Sequence, residues 1–496
     1  MEQILAGLGD ALTLVNLLYL AIGVAMGVAV GAIPGLNGPM AVALAAPMTF
    51  FMSSLPAISF LLGILKGSRY GGSITAVLLN TPGDPAAAAT CFDGYPMHRQ
   101  GKSGKALKMS LYASVFGDIF AALVLILVAG PIARFALKMG PTEITAVIIF
   151  ALTLIAILSG KSLLKGLISG VFGIFLSFVG TEPITATSRL TMGFYELQSG
   201  ISFMAVAIGM LAISEIIVQV EEKVTGKHET LALRRDTLKE NRIVSFHEFK
   251  DNLKTLFRSS LIGTGIGALP GCGATLASFL AYGVAKRTSK SPEKFGQGAL
   301  EGVAAAESAN SATVGSDLIP LFTLGIPGTM AAALLIGALV IHGVEVGPLM
   351  FREHGRFIYG IYGSLVVGSI FLLVIGGIGL RVFAKLIQAP KAIIYPIIIL
   401  MCITGGYIED NTLFAVAIML IFGIVGYFMK KLDFSFVTFL VGFVLGPMFE
   451  FSLLQTLNMS MNNPMVIFNR PIALVILAFT LIFLCWGLFS GRAKKG

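Results

Sequence analysis

Gly27-Val-Ala-Val-Gly31-Ala-Ile-Pro34-Gly35 returns as Gly263-Thr-Gly-Ile-Gly267-Ala-Leu-Pro270-Gly271, an offset of 236. Thr81-Pro82-Gly83 likewise pairs with Ile326-Pro327-Gly328, at an offset of 245. Two Pro-Gly pairs thus recur in the same order in two halves of the chain, and self-similarity of this kind marks a repeated architecture. Proline removes a backbone N–H and clashes with the preceding helical turn. Glycine supplies backbone freedom and close approach. What these breaks interrupt decides the fold class.

They interrupt lipid-soluble helices. The 496 residues are 56% hydrophobic and 12% charged, with a mean hydropathy of +0.88; soluble chains are about a quarter charged. So few charges cannot cover a soluble core of this apolarity, which excludes a soluble enzyme. The 58 glycines fit helices that pack closely in lipid. The fold class is an all-α polytopic membrane protein. A span needs about 20 apolar residues, and such stretches lie near 109–130, 143–160, 163–180, 200–220, 358–380, 392–409, 411–429, 433–449 and 470–490. Four more are interrupted at the Pro-Gly pairs, and one long hydrophilic segment runs from Glu221 to about Lys254. No cleavable signal peptide is expected, because roughly the first 65 residues hold no Lys or Arg.

The net charge of +9 is clustered between apolar stretches, so it sets membrane orientation and implies no nucleic-acid partner. Four scattered cysteines lack the spacing of a disulfide framework or a zinc site. Basic segments 93–108, 221–254 and 286–298 and the tail Arg492, Lys494, Lys495 go to the cytoplasm. The N-terminus, 181–199 and 457–463 go outside. Arg134 and Lys138 then fall outside, against the rule.

Loop charges give the relation between the halves. After the first break, 51–65 is uncharged, whereas 286–298 carries four positive charges and one negative. After the second break the pattern reverses: 93–108 has four positives and one negative, and 343–356 balances Arg352 and Arg356 against Glu345 and Glu353. Opposite polarity at equivalent loops predicts two inverted repeats, as in many secondary transporters. The first repeat is expected over 1–220, with a hairpin at about 11–52 and a broken helix at about 57–92. A cytoplasmic linker takes 221–256. The second repeat takes 257–496, with a hairpin at about 257–285 and a broken helix at about 298–342. About 11 further spanning or broken helices complete the fold. By symmetry the first hairpin is re-entrant from outside, with limbs long enough that two full crossings stay open.

Breaks at membrane depth survive only where protein or a wet cavity satisfies the freed backbone. Half-helix N-termini suit a carboxylate, and freed carbonyls suit Na⁺. The expected substrate-binding residues are Pro34, Gly35, Leu36, Asn37, Asn80, Thr81, Pro82, Gly83, Pro270, Gly271, Cys272, Gly273, Asn310, Gly325, Pro327, Gly328 and Thr329. The expected cation-binding residues are Tyr70, Gly72, Ser73, Asp84, Glu307, Ser311 and Thr313, since polar groups in an apolar setting are functional candidates. Asp84-Pro85 reads as an N-cap followed by proline at the first helical position. Ionised, Asp84 repels an anion, so it caps or helps hold a cation; Thr329 is its counterpart. Asn80 and Asn310 suit a cation, a carboxylate or a helix–helix hydrogen bond. Glu307 is open to a structural ion pair and to a proton or cation role.

Two matches are set aside. Gly7-Leu8-Gly9-Asp10 has the GxGD form of intramembrane aspartyl proteases, but the partner aspartate on an earlier helix has no helix to stand on. Gly263–Gly273 lacks the Lys-Ser/Thr of a phosphate loop.

Tyr70-Gly71-Gly72-Ser73-Ile-Thr-Ala-Val-Leu-Leu-Asn80-Thr-Pro82-Gly83, Asp93-Gly94-Tyr95-Pro96, Phe295-Gly296 with Glu301-Gly302, and Pro320-Leu-Phe-Thr-Leu-Gly325-Ile-Pro327-Gly328 join the Pro-Gly strings above. Together they resemble the large membrane subunit of tripartite tricarboxylate transporters, the TctA family, densely over about 20–110 and 255–350. The resemblance implies a bacterial inner-membrane symporter for citrate-like di- and tricarboxylates, with Na⁺ or H⁺ as coupling ion and no other cofactor. The N-terminus would be periplasmic and the C-terminus cytoplasmic. It also implies a small four-helix membrane subunit and a periplasmic solute-binding protein as partners; a homodimer is left open. An elevator-like movement is an analogy with other two-hairpin transporters. The alternatives are a membrane-embedded enzyme, for which no HExxH or facing Asp pair appears, a channel, or an elevator-type carboxylate symporter working without a binding protein.

Inversion has a direct check. Single cysteines placed at Leu55 and Lys290 label from opposite sides of the membrane, and labelling from the same side contradicts inverted halves.

Overall fold

A computed structural model describes residues 2–159, 162–182, 186–224, 239–386, 391–461 and 463–493. The centre of the expected linker and the last lysines of the basic tail lie outside the described residues. The first half runs α1 (Glu2–Ala11), α2 (Leu14–Gly31), α3 (Gly38–Ala45), α4 (Ser54–Leu79), α5 (Ala88–Arg99), α6 (Ser103–Ala136), α7 (Pro141–Ser159) and α8 (Leu163–Ser177). A short hairpin of β1 (Gly180–Thr181) and β2 (Ser188–Arg189) precedes α9 (Phe203–Ile208), which continues through a π turn into α10 (Ser214–Val224). The second half runs α11 (Phe246–Asp251), α12 (Leu253–Gly267), α13 (Gly273–Thr288), α14 (Leu300–Ser316), α15 (Leu318–Leu324), α16 (Met330–Ile341) and α17 (Met350–Glu353). It ends with α18 (Gly355–Leu386), α19 (Lys391–Asp410), α20 (Leu413–Lys431), α21 (Phe436–Met459) and α22 (Pro471–Ala493).

Seven of the described helices are long and apolar enough to cross a membrane, α2 among them. The chain is an all-α polytopic membrane protein. Its outer surface carries Leu, Ile, Val and Phe side chains that are exposed in the isolated chain, such as Leu127, Val171, Ile378 and Leu481. At 1.5 Å per residue, α2 reaches roughly 27 Å. The return limb is short: α3 has eight residues, followed by a six-residue 3-10 turn over Ala46–Phe51.

All four Pro-Gly pairs terminate helices. Gly35 and Gly271 both take left-handed backbone, with φ of +92° and +86°, which only glycine adopts without strain. The second breaks share another device. Asn80 and Gly325, again 245 positions apart, are left-handed C-caps with φ of 54° and 71°. Asp84 and Thr329 then cap the following helices. Two boundaries differ from the sequence expectation. The helix after the first of these breaks runs on to Arg99, and the second broken helix has an additional bend at Asp317, because Pro320 cannot donate to the Ser316 carbonyl.

Glycine holds the breaks together. Gly23, Gly27 and Gly31 of α2 face Gly63, Gly67 and Gly71 of α4, so closely that a Cβ on Gly27 or Gly67 would lie 2.2 Å from the carbonyl oxygen of Ile64 or Val24. In the second half, Gly263 presses on Ala309 and Gly267 on Thr313, at the positions that offsets of 236 and 245 assign to Gly27 on Ile64 and Gly31 on Ser68. Backbones in van der Waals contact are the usual basis of helix association in lipid. As a result, α4 is buried from Pro56 to Leu78 and α14 from Gly302 to Ser316. These two helices are the core.

Gly67→Ala drives a methyl group into backbone that cannot repack, at a cost of about 1–3 kcal/mol. Its thermal midpoint in detergent should fall. Gly265→Ala, whose Cβ meets nothing within 4 Å, should leave it unchanged.

Candidate functional site

A helix buried on every face is expected to be apolar, and α4 and α14 violate this at chosen positions. On α4, Lys66 Nζ lies 3.2 Å from Asp118 Oδ2 of α6 and donates to Ser369 Oγ of α18 at 3.0 Å. One turn on, Arg69 Nη1 donates to Asp84 Oδ2 at 3.0 Å, while Asp84 Oδ1 accepts from the Ala86 N–H at 2.9 Å. Asp84 therefore both caps a helix and holds a cation, and the cation is Arg69. In the second half, Asp317 Oδ2 accepts from the Thr329 hydroxyl at 2.9 Å, and Thr329 Oγ1 in turn accepts from the Ala332 N–H.

Arg69 and Asp317 line one small cavity of about 10 Å³, with Ala331 and Ala332 at the N-terminus of α16. Buried Arg69 Nε and Asp317 Oδ1 have no hydrogen-bond partner among the described residues. The site therefore places a guanidinium between two carboxylates, beside the start of a half-helix.

In the first half the second break returns onto its own helix α4, and in the second half the two breaks touch directly. Gly83 N–H donates to the Gly72 carbonyl at 3.3 Å, and Gly271 N–H donates to the Gly328 carbonyl at 2.9 Å. A Cβ on Gly83 would lie 2.4 Å from the Gly31 carbonyl oxygen, so this glycine is required for packing alone. A Cβ on Gly328 would make only ordinary contacts, 3.5 Å from Asp317 Oδ1 and from Pro270 Cα.

Glu307 of α14 reaches into the first half. It accepts hydrogen bonds from the Thr90 hydroxyl and, at 3.3 Å, from Ser114 Oγ, with Ser73 and Ser110 alongside. No Lys, Arg or His among the described residues pairs with it, which removes the structural ion pair from its readings. Asn310 is fully buried, and among the described residues neither its amide oxygen nor its nitrogen is bonded and the hydroxyls of Ser311 and Tyr70 also lack partners. Thr313 bonds back to the Asn310 carbonyl of its own helix.

Other expected site residues do not line this cavity, although Cys272 is an electrostatic neighbour of Asp317. Asn37 caps α3 through the Met40 N–H at 3.0 Å, and Pro34 and Gly35 are half-buried near Gln219, with Leu36 buried. Asn80 and Thr81 are exposed, and the observed role of Asn80 is conformational. Pro82 is half-buried, as are Cys272 and Gly273 at the start of α13, while Pro327 is buried and Gly325 is buried near Val346. The GxGD aspartate is a surface residue: Asp10 accepts two hydrogen bonds from Arg356, and Gly7 packs on α18.

Sequence reasoning missed Lys66, Arg69, Asp118, Asp317 and Asp93. The signal was present, since Lys66 and Arg69 are the first cations of the chain and sit within an apolar run. Asp93 Oδ1 accepts from the N–H groups of Gly296, Gly298 and Ala299, and its Oδ2 from the Tyr282 hydroxyl. It thereby clamps the loop before α14.

The family described as the tripartite tricarboxylate transporter TctA family matches residues 17–441. The chain belongs to that family. It is a component of a membrane transporter and not an enzyme, and as the large TctA subunit it implies a small membrane partner and a periplasmic binding partner. The chain is also 35% identical over 490 residues, 99% of its length and 96% of the relative's, to an uncharacterized 52.8 kDa protein of Agrobacterium vitis, described by its place in the TAR-I ttuC' 3' region. A second protein of that organism, from the TAR-II ttuC' 3' region, is 35% identical over 234 residues, 47% of this chain and 97% of the relative. No solved structure matches the chain.

Breaking a buried ion pair on one side costs about 3–5 kcal/mol, whereas replacing both partners with apolar groups is often neutral. Lys66→Met and Asp118→Asn should each lower the thermal midpoint strongly, and Lys66→Met with Asp118→Leu should recover most of it. A double variant no better than the singles contradicts the pairing.

Proposed function

We propose that this TctA protein is the large subunit of a binding-protein-dependent secondary transporter importing di- or tricarboxylates in symport with Na⁺ or H⁺. The observation that carries the reading is Arg69, buried between Asp84 and Asp317 with Nε unbonded, beside the N-terminus of α16. A guanidinium fork is suited to bidentate recognition of carboxylate, and a half-helix N-terminus adds N–H groups and partial positive charge. Asp84 neutralises the fork at rest. A substrate carboxylate competes with it for Arg69, so no uncompensated cation is left buried between cycles.

Two inverted repeats fit the packing. Matched glycine contacts fall at the sequence offsets, and α3 of the first half packs on α16 of the second while α13 packs on α5. Such an exchange of half-helices encloses one site between the repeats. The expected membrane is the bacterial inner membrane, with the N-terminus periplasmic and the C-terminus cytoplasmic. An elevator-like displacement of the broken-helix elements gives alternating access.

Proteoliposomes holding the protein with its small membrane subunit and its periplasmic binding protein test this. Labelled di- and tricarboxylates should accumulate under an imposed Na⁺ or proton gradient. Arg69→Gln removes a charge-assisted hydrogen bond and should raise the KM about 10- to 100-fold, with Arg69→Lys intermediate. Gly328→Ala should fold normally yet transport more slowly. Absence of gradient-driven uptake across a broad acid panel contradicts the reading.

A further inference from the structure

Among the described residues, Glu307 is a fully buried carboxylate with no cationic partner and no helix N-terminus of its own. Asp118 has Lys66, Asp84 has Arg69, and Asp93 has three backbone N–H groups. Glu307 has hydroxyls instead: Thr90 of α5 and Ser114 of α6 donate to it, while Ser73 of α4, which bonds the Arg69 carbonyl, and Ser110 of α6, whose hydroxyl is unbonded among the described residues, lie beside it. The titratable neighbours are the Tyr70 phenol of α4 and the Cys91 thiol of α5. No charged side chain of α6, α12 or α13 acts on it. An ionised carboxylate in such a pocket carries the full desolvation cost with no opposite charge to offset it. It must therefore take up a cation.

The surroundings distinguish which cation. Na⁺ sites in broken-helix transporters draw on carbonyls freed where helices unwind. Here α4, α5, α6 and α14 are helical through Ser73, Thr90, Ser110, Ser114 and Glu307, so their carbonyls are committed to helix bonds. What remains is a carboxyl bonded by two hydroxyls with two more beside it, one of them unbonded among the described residues, a set that can both donate to and accept from a COOH group.

We propose that Glu307 carries the coupling proton, binding it on a carboxyl oxygen from one aqueous side and releasing it to the other. This rests on the transporter reading above. The geometry supplies the coupling. Glu307 belongs to the second half, and all four hydroxyls belong to the first. Movement of α14 against α4, α5 and α6 strips the hydroxyls from the carboxyl, and only the neutral form re-enters the closed interface without an unpaired charge.

The complete complex in proteoliposomes tests this with Glu307→Gln, which imitates the protonated side chain. The variant should exchange labelled citrate-class acids across the membrane without a gradient, yet lose proton-driven accumulation, and a trapped pH dye should register no proton entry with substrate. Proton-driven accumulation by Glu307→Gln, or wild-type accumulation that follows a Na⁺ gradient at clamped pH, overturns the proposal. A readout independent of substrate separates it from failure of the carboxylate reading. Infrared difference spectra of the wild-type complex between acid and alkaline buffer should contain a protonated-carboxyl band that Glu307→Gln lacks; an unchanged spectrum counts against it. Should Glu307→Gln not fold, Ser114→Ala keeps the carboxyl and should shift the pH profile of uptake, and an unmoved profile contradicts the proposal.

Discussion

Lipid offers no hydrogen bond to an exposed peptide group, and the rest of the structure depends on how this chain meets that constraint at its four breaks. Each break frees N–H and C=O groups at helix ends. The chain answers with backbone partners: the Gly83 N–H finds the Gly72 carbonyl of α4, and the Gly271 N–H finds Gly328 at the other break of its half. Asn37, Asp84 and Thr329 cap the helices that restart. Close helix approach of this kind uses glycine on both sides between α2 and α4 and on one side in the second half, where Gly263 and Gly267 meet Ala309 and Thr313.

Burying α4 and α14 on all faces has a second consequence. Any charge on them is removed from water and must be answered locally. Lys66 and Arg69 are answered by aspartates, and Asp317 by the Thr329 hydroxyl. Glu307 meets only hydroxyls. These polar positions also connect the halves, since Glu307 reaches α5 and α6, and Lys66 reaches α18. Relative movement of the halves thus changes the solvation of charges, the kind of linkage by which binding can drive a conformational change.

Much of this was legible in the chain. Hydropathy located the spans, and the offsets of 236 and 245 identified the repeated breaks, at whose equivalent positions the structure places matching glycine contacts. Asp84 was readable as a cap. Its partnership with Arg69 was not, because a spacing of fifteen residues across a helix break says nothing about three-dimensional approach. Lys66 and Asp118, on different helices, were hidden for the same reason. Asp317 was passed over because Pro320 bends the helix there, turning what reads as helix interior into the rim of a cavity. The Asp93 and Phe295-Gly296 strings looked independent, yet they form a single clamp. Periodicity reports which face is apolar; it does not report which buried polar groups find each other.

The central claim is that the site lies between Arg69 and the N-terminus of α16. A cryo-electron microscopy map of the complete complex in lipid, with a bound di- or tricarboxylate, tests it most directly. The account predicts a substrate carboxylate against the Arg69 guanidinium, enclosed by Asp317, Thr329 and the Gly328 break. Substrate density elsewhere, with Arg69 still paired to Asp84 and the cavity beside α16 closed, would contradict it.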